Sequence, residues 1–150
     1  MSDVTVTSLA NLRNEVRWGA GHVLITDEPV ALGGEDAGPD PYTLLLAALG
    51  SCISMTTMLY ARRKAWPVER VTVRLRQQRV HGKDCQECDQ NMDSFVHRIE
   101  RSVSFQGALT EQQLSRLQEI AHKCPVHKTL SSPIIVTELA NESGEASKFS

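Results

Sequence analysis

One long uncharged stretch dominates the hydropathy pattern of this chain. From Leu44 to Tyr60 every residue is apolar, small or hydroxylated, which is typical of a helix enclosed on all sides. Asp40 and Pro41 mark its start, because Asp caps free amides and Pro suits the first helical turn. The run is shorter than the roughly 18–20 residues that a bilayer needs. We therefore predict the central helix of a soluble core, with no membrane partner.

Alternating apolar and polar residues predict strands on both sides of this helix. A short strand is expected at residues 4–7, and the glycines at 19 and 21 predict a hairpin of residues 15–18 and 22–26. The Pro- and Gly-rich residues 27–39 are expected to form a loop. A second, longer hairpin is predicted from residues 71–80 and 95–105, and a final strand from residues 134–139.

A second helix and a short helical turn are expected between the long hairpin and the final strand. Residues Thr110 to Gln113 fit a capping box, and the apolar residues that follow keep helical spacing as far as Cys124. Pro125 is expected to open a short new turn. The order β-β-β-α-β-β-α-β predicts an α+β domain over residues 1–140, with antiparallel sheet wrapped around the central helix. Residues 141–150 are expected to form a flexible tail.

Composition and charge narrow the possible partners and location. The chain has 150 residues, 41% hydrophobic and 23% charged, with a formal charge of −2. There is no basic excess that would indicate nucleic acid or an anionic membrane as a partner. The first residues lack the basic start and apolar run of a signal peptide. A cytoplasmic location is expected, where the four cysteines would remain reduced.

Two of these cysteines, Cys52 and Cys124, are predicted to face inward from helices. Free cysteine is commonly a small buried hydrophobe, so core packing explains either residue taken alone. Two thiols that meet in a core can also form a redox pair. Cys52 lies about 11 residues, or on the order of 16 Å, from the helix start. The helix dipole fades within one turn, so an ionised Cys52 would need another positive group.

The other cysteines and the histidines give weaker signals. Cys85 and Cys88 form a C-x-x-C pair in the polar connection of the long hairpin, but no second pair follows at the spacing of a structural zinc site. A hairpin tip is the preferred interpretation, with a metal site or an accessory disulfide as alternatives. His122 and His127 flank Cys124, so a Cys/His hydrolase is a further hypothesis. Solvated or capping histidines explain them more simply.

Three segments make the chain similar to a known family. They are the loop ALGGEDAGPDP, the helix PYTLLLAALGSCISMTT and the turn HKCPVHKTL, in that order. Together they resemble the OsmC/Ohr family, the osmotically induced and organic-hydroperoxide-resistance proteins, over nearly the whole chain except the tail. The resemblance implies an OsmC-like fold and an intertwined homodimer, with the central helices buried between sheets from both subunits.

The same resemblance implies a thiol peroxidase that acts in oxidative stress defence. Cys52 matches the peroxidatic cysteine and Cys124 the resolving cysteine, with an organic hydroperoxide as substrate. The sulfenic acid formed at Cys52 would condense with Cys124 to a disulfide. An external dithiol, such as a lipoylated protein or dihydrolipoamide, would reduce it, and no bound cofactor is expected.

Family members use an arginine to ionise the first thiol, and its match here is Arg13, with Arg17 as an alternative. In the family a glutamate ten residues before the cysteine orients that arginine. Here Tyr42 stands at that place and Thr43 follows it. Glu35, or the adjacent Asp36, is the candidate replacement. A redox-sensing or apolar-ligand-binding dimer with little peroxidase turnover is therefore the alternative function.

Overall fold

The computed structural model describes residues 3–81 and 95–139. Its elements are β1 (Val4–Ser8), β2 (Asn14–Trp18), β3 (His22–Thr26), a 3-10 turn (Val30–Leu32), α1 (Pro41–Arg63), β4 (Val68–His81), β5 (Phe95–Gly107), α2 (Glu111–Ala121) and α3 (Pro125–Leu130). These elements confirm an α+β domain with antiparallel sheets and one long helix.

The start of α1 follows the prediction. The Asp40 carboxylate accepts hydrogen bonds from the backbone N–H groups of Tyr42 and Thr43, at 2.9 and 3.1 Å. Pro41 occupies the first helical turn, where its missing N–H leaves no hydrogen bond unmade. Asp40 and Pro41 thus fix where the helix begins.

The enclosure predicted for α1 is wrong for the single chain. One stripe, with residues four apart, is buried: Leu49, Ile53, Thr57 and Ala61. On the other side Met55 is 65% exposed and Leu59 is 53% exposed. The described elements that pack mainly on this helix are β4, α2 and α3, and they leave the side with Met55 and Leu59 uncovered. By length and composition alone α1 is also apolar enough to cross a membrane, a property that it shares with core helices of soluble domains.

The described strands form two antiparallel sheets, whereas the sequence predicted antiparallel sheet around the helix without fixing the number of sheets. One has the order β1-β2-β3, and the other pairs β4 with β5; all pairings are antiparallel. The β4-β5 hairpin packs on α1, where Gly50 faces Leu75. A Cβ added at Gly50 would lie 2.9 Å from Leu75 Cδ1, so the missing side chain allows this close packing.

The second helix has the predicted capping box. Thr110 and Gln113 exchange side-chain-to-backbone hydrogen bonds of 3.2 and 2.9 Å. Leu117, with none of its surface exposed, anchors the helix in the core. Because α2 ends at Ala121, Cys124 is not on the helical stripe as predicted but in the turn that precedes α3. It is nevertheless fully buried.

The predicted strand at residues 134–139 is wrong for the described chain. The segment has no regular secondary structure, and Ile135 and Val136 are 86% and 90% exposed. A strand needs a neighbour for its backbone hydrogen bonds, and no described strand pairs with this segment. The predicted flexible tail and the C-x-x-C connection lie outside the described residues.

Candidate functional site

The site is built around two reduced cysteines on different elements. Cys52 is half-buried on α1, and Cys124 is the residue that precedes α3. Both belong to one apolar cluster, whose other members are Leu49, Ile53, Val73, Leu75, Ile99, Val103, Ala121, Val126 and Leu130. The structure thus brings together two thiols that are 72 positions apart in the chain.

The two thiols interact directly, and their environments differ. Burial and the adjacent Cys52 thiol raise the pKa of Cys124, although the backbone N–H groups of His127 and Val126 act in the opposite direction. A raised pKa keeps the buried thiol protonated at neutral pH. Cys52 is the more accessible of the two sulfur-bearing residues.

Arg13 lies in the turn between β1 and β2. Its Nε is 3.3 Å from Glu35 Oε2, but this nitrogen lacks the alignment of a hydrogen bond and is itself buried. The pairing involves the loop carboxylate that the sequence suggested as a partner for Arg13. Among the described residues, no hydrogen bond or ion pair joins Arg13 to Cys52. The predicted role of Arg13 at the thiol remains a prediction.

Arg101 places a positive charge beside the turn that carries Cys124. Its guanidinium donates to the Ala121 carbonyl at 2.8 Å and to His122 Nδ1 at 2.6 Å. Sequence analysis did not select Arg101 as a site residue, although the alternating pattern of β5 indicated its position. It has the same parity in β5 as the apolar Ile99 and Val103, so a charged side chain occupies an inward position of the strand.

Comparison with protein families decides what kind of domain this is. The sequence pattern of the OsmC-like protein family matches residues 33–138, which include both cysteines of the pair. The chain belongs to the OsmC-like family. No curated protein is significantly similar to it in sequence.

Solved structures resemble this OsmC-like protein in fold over most of their length. A Psychrobacter arcticus 273-4 protein named for osmotic stress induction and the detoxification response has a TM-score of 0.69 at 21% identity, covering 86% of this chain and 88% of that one. An organic hydroperoxide resistance protein OsmC from Legionella pneumophila has a TM-score of 0.62 at 18% identity, covering 87% and 88%. A Vibrio cholerae OsmC-like protein described as of unknown function has a TM-score of 0.61 at 19% identity, covering 86% and 92%.

The other accessory candidates of this OsmC-like protein have different partners. Arg17, on β2, forms an ion pair with Glu15. Tyr42 stacks on the His97 ring, with centroids 5.8 Å apart. Thr43 donates its hydroxyl hydrogen to Asp40 at the helix start. None of these contacts, among the described residues, connects with Arg13 or with the thiols.

No imidazole is hydrogen-bonded to Cys52 within residues 3–81 and 95–139. His122 Nδ1 accepts from Arg101, which can only donate, so the His122 proton is on Nε2. Burial lowers the pKa of His122, and the charge of Arg101 and the nearby His127 lower it further. The hydrolase hypothesis needs a general base beside Cys52, and no hydrogen bond within this region supplies one.

The described residues contain no group of three or more His, Cys, Asp or Glu side chains placed to hold a metal ion. The weak metal hypothesis for Cys85 and Cys88 concerns residues outside this region. The structure thus leaves that hypothesis as a prediction.

Asp27 organises the loop that carries Glu35, and sequence reasoning missed it. Its side chain is buried, with the residue 2% exposed, and it accepts backbone N–H groups of Glu28, Glu35 and Ala37 at 2.9, 3.0 and 3.2 Å. Gly34 packs so closely on this turn that an added Cβ would lie 1.8 Å from the Glu28 carbonyl oxygen. Asp27 thus holds the loop in the conformation that sets Glu35 against Arg13.

We expect Asp27→Asn to lower the melting temperature by several degrees at neutral pH. Burial alone would raise the pKa of Asp27, but the three N–H donors and the Arg13 charge lower it overall. With a folded-state pKa below the unfolded value of about 3.9, the carboxylate stabilises the fold above about pH 3.9. This stabilisation is lost as the pH falls through the folded-state pKa.

Thermal unfolding of both proteins between pH 3 and pH 7 measures this effect, with Asp3→Asn at an exposed position as the matched control. The gap between wild type and Asp27→Asn should narrow as the pH falls through about 4. If the melting temperatures of wild type and Asp27→Asn do not differ at pH 7, or differ by the same amount at every pH, the ionised Asp27 carboxylate does not stabilise the fold as proposed.

Proposed function

We propose that this protein is a cytoplasmic thiol peroxidase that reduces organic hydroperoxides to alcohols in oxidative stress defence. The observation that carries the proposal is that Cys52 packs beside the buried Cys124 in one apolar cluster, where the two thiols interact. The name of the Legionella pneumophila protein with the same fold, an organic hydroperoxide resistance protein, supports it. At 18% identity this likeness shows the fold alone, so the chemistry rests on the thiols.

Cys52 is the residue proposed to attack the peroxide. Only a thiolate is a strong nucleophile, and the raised pKa of Cys124 keeps that thiol protonated. A peroxide must also reach the sulfur, and Cys124 is fully buried whereas Cys52 is only half-buried. Accessibility and protonation therefore favour Cys52 as the attacking residue and Cys124 as the resolving one.

The proposed cycle balances without a bound cofactor. The Cys52 thiolate attacks the terminal peroxide oxygen, the O–O bond breaks, and a proton from the medium completes the alcohol, which leaves Cys52 as a sulfenic acid. The Cys124 sulfur then attacks the Cys52 sulfur, forming the disulfide and releasing water. An external dithiol, for which we propose a lipoyl group, reduces the disulfide by exchange and is itself oxidised.

The surroundings of the thiols favour an alkyl substituent on the peroxide. The apolar cluster includes Val103, Val126 and Leu130 around the sulfur pair. Burying an alkyl chain against such residues contributes roughly 0.8 kcal/mol for each CH₂ group. Hydrogen peroxide has no such group, so we propose organic hydroperoxides as the preferred substrates.

We further propose that the working unit is an intertwined homodimer. The side of α1 with Met55 and Leu59 is exposed in the single chain, and so is the apolar segment at residues 134–139. An open groove of about 680 Å³ runs between this helix and β4. A second copy would cover these surfaces and could set Arg13 against a Cys52 sulfur, because the β1-β2-β3 sheet does not pack substantially on the α1 helix of its own chain.

Treating the reduced protein with one equivalent of cumene hydroperoxide tests the proposal. We expect the loss of two thiols per chain, one equivalent of cumyl alcohol, and a Cys52–Cys124 disulfide in peptide mass mapping. In Cys124→Ser the same treatment should give a Cys52 sulfenic acid that a dimedone probe traps. A disulfide between other cysteines, or unchanged thiols after complete mixing, would contradict the proposal.

The alternative is a redox-sensing or ligand-binding dimer with little peroxidase turnover. It is favoured by the finding that, among residues 3–81 and 95–139, no cationic side chain is hydrogen-bonded to Cys52. This alternative predicts that the disulfide forms with peroxide but that added dithiol sustains no steady consumption. Steady-state assays with dihydrolipoamide distinguish the two functions.

A further inference from the structure

A cavity of about 220 Å³ lies on the α3 side of the thiol cluster. Its polar wall carries Arg101, His97 and His127, and its apolar wall carries Leu49, Ile99 and Leu130. Leu49, Ile99 and Leu130 also pack in the cluster of Cys52 and Cys124. The cavity therefore adjoins the thiol pair but differs from the open groove beside β4.

Two hydrogen bonds orient the Arg101 side chain and leave some of its N–H donors free to bind a ligand. Its hydrogen bonds to Ala121 and His122 use two of the five N–H donors of a guanidinium. Within the described residues, no carboxylate forms an ion pair with it. The neighbouring acidic residue in β5, Glu100, is instead paired with Arg76 and Arg98. Arg101 is thus a half-buried cation without a counter-charge in this region.

His97 and His127 add further hydrogen-bond donors to the cavity lining, and neither carries a negative charge. His97 is placed by contacts with Gln77, at 2.6 Å, and with the Tyr42 ring. The His127 ring lies edge-on to His122, with centroids 6.3 Å apart. A guanidinium binds a carboxylate through parallel N–H bonds, and such charge-assisted bonds are about twice as strong as neutral ones. The lining therefore suits an anionic head group.

We propose that this cavity binds a short-chain monocarboxylate, with the carboxylate at Arg101 and the alkyl tail against Leu49, Ile99 and Leu130. The volume lies below the roughly 300 Å³ lower limit for sites of drug-sized ligands, so the tail must be short. This site is independent of the peroxidase proposal, since it needs no peroxide and no reductant.

Titration of the reduced full-length protein with hexanoate tests the proposal by calorimetry. We expect a dissociation constant near 1 mM or tighter, where 1 mM corresponds to about −4.1 kcal/mol. Arg101→Gln should bind hexanoate at least tenfold more weakly than wild type. Hexanamide, which keeps the tail but not the charge, should bind at least tenfold more weakly than hexanoate. The matched control is Arg98→Gln, on the opposite face of β5, which should bind like wild type.

Methyl NMR of the wild-type protein locates the ligand without a variant that has to fold. Hexanoate should shift the methyl signals of Leu49, Ile99 and Leu130, and should leave the exposed Val30 unchanged. Three results overturn the proposal: no saturable binding of hexanoate, equal binding of hexanamide, or equal binding by a folded Arg101→Gln variant. A methyl map with shifts only along the β4 groove overturns it as well.

Discussion

Cys52→Ser is expected to lose dithiol-dependent consumption of organic hydroperoxide by at least roughly 100-fold, which corresponds to about 2.7 kcal/mol of transition-state stabilisation. A serine hydroxyl does not ionise near neutral pH, and its oxygen cannot take up the peroxide oxygen as sulfur does. The remaining Cys124 is fully buried and has a raised pKa. It cannot substitute for the lost thiolate.

The measurement is the steady-state loss of cumene hydroperoxide with dihydrolipoamide as reductant. Cys85→Ser makes the same chemical change at a cysteine outside the proposed pair and serves as the matched control. We expect it to retain turnover. Equal rates for wild type and Cys52→Ser would remove the peroxidase proposal. The hexanoate site would be unaffected by that result, because its test uses neither peroxide nor dithiol.

Met55→Glu is expected to convert the proposed dimer to monomer at micromolar concentration. Met55 is 65% exposed in the single chain, on the side of α1 opposite the buried stripe. A carboxylate desolvated there without a partner costs several kcal/mol, so the dimer dissociation constant should rise at least 100-fold. Because Met55 faces away from the chain's own core, the fold of each subunit should tolerate the change.

Sedimentation equilibrium over a range of concentrations measures the dissociation constants. Gln112→Glu adds the same charge in the exposed first turn of α2 and should leave the mass unchanged. If the dimer also completes the active site, Met55→Glu should lose peroxidase turnover as it dissociates to monomer. Turnover should return at protein concentrations high enough to restore the dimer. A monomeric wild-type protein, or a dimeric Met55→Glu variant, contradicts the proposal.

The sequence was sufficient for features that depend on neighbouring residues. Asp40 and Pro41 start α1 where predicted, and Thr110 and Gln113 form the predicted capping box. Strand alternation placed both hairpins correctly in the described chain. Caps and periodicity act over a few residues, so their effects can be deduced from the local sequence.

Features that need distant segments were predicted less well. The enclosure of α1 needs segments that cover its second side, and a strand at residues 134–139 needs a strand to pair with. The described residues of the single chain supply neither. Sequence analysis did not identify Arg101 and Asp27 as functional or structural residues, because the role of each depends on hydrogen-bond partners elsewhere in the chain. Their partners are Ala121 and His122 for Arg101, and the backbone of the 28–37 loop for Asp27.

The sequence by itself determined the α+β class, the start of α1, the capping box of α2 and the resemblance that singled out Cys52 and Cys124. Only the tertiary structure decided that Cys52 and Cys124 pack in one cluster, that Cys124 is fully buried with a raised pKa, and that Arg101 lies beside the turn that carries Cys124. The physical reason is that burial and charge proximity depend on contacts between segments far apart in the chain, which periodicity does not encode.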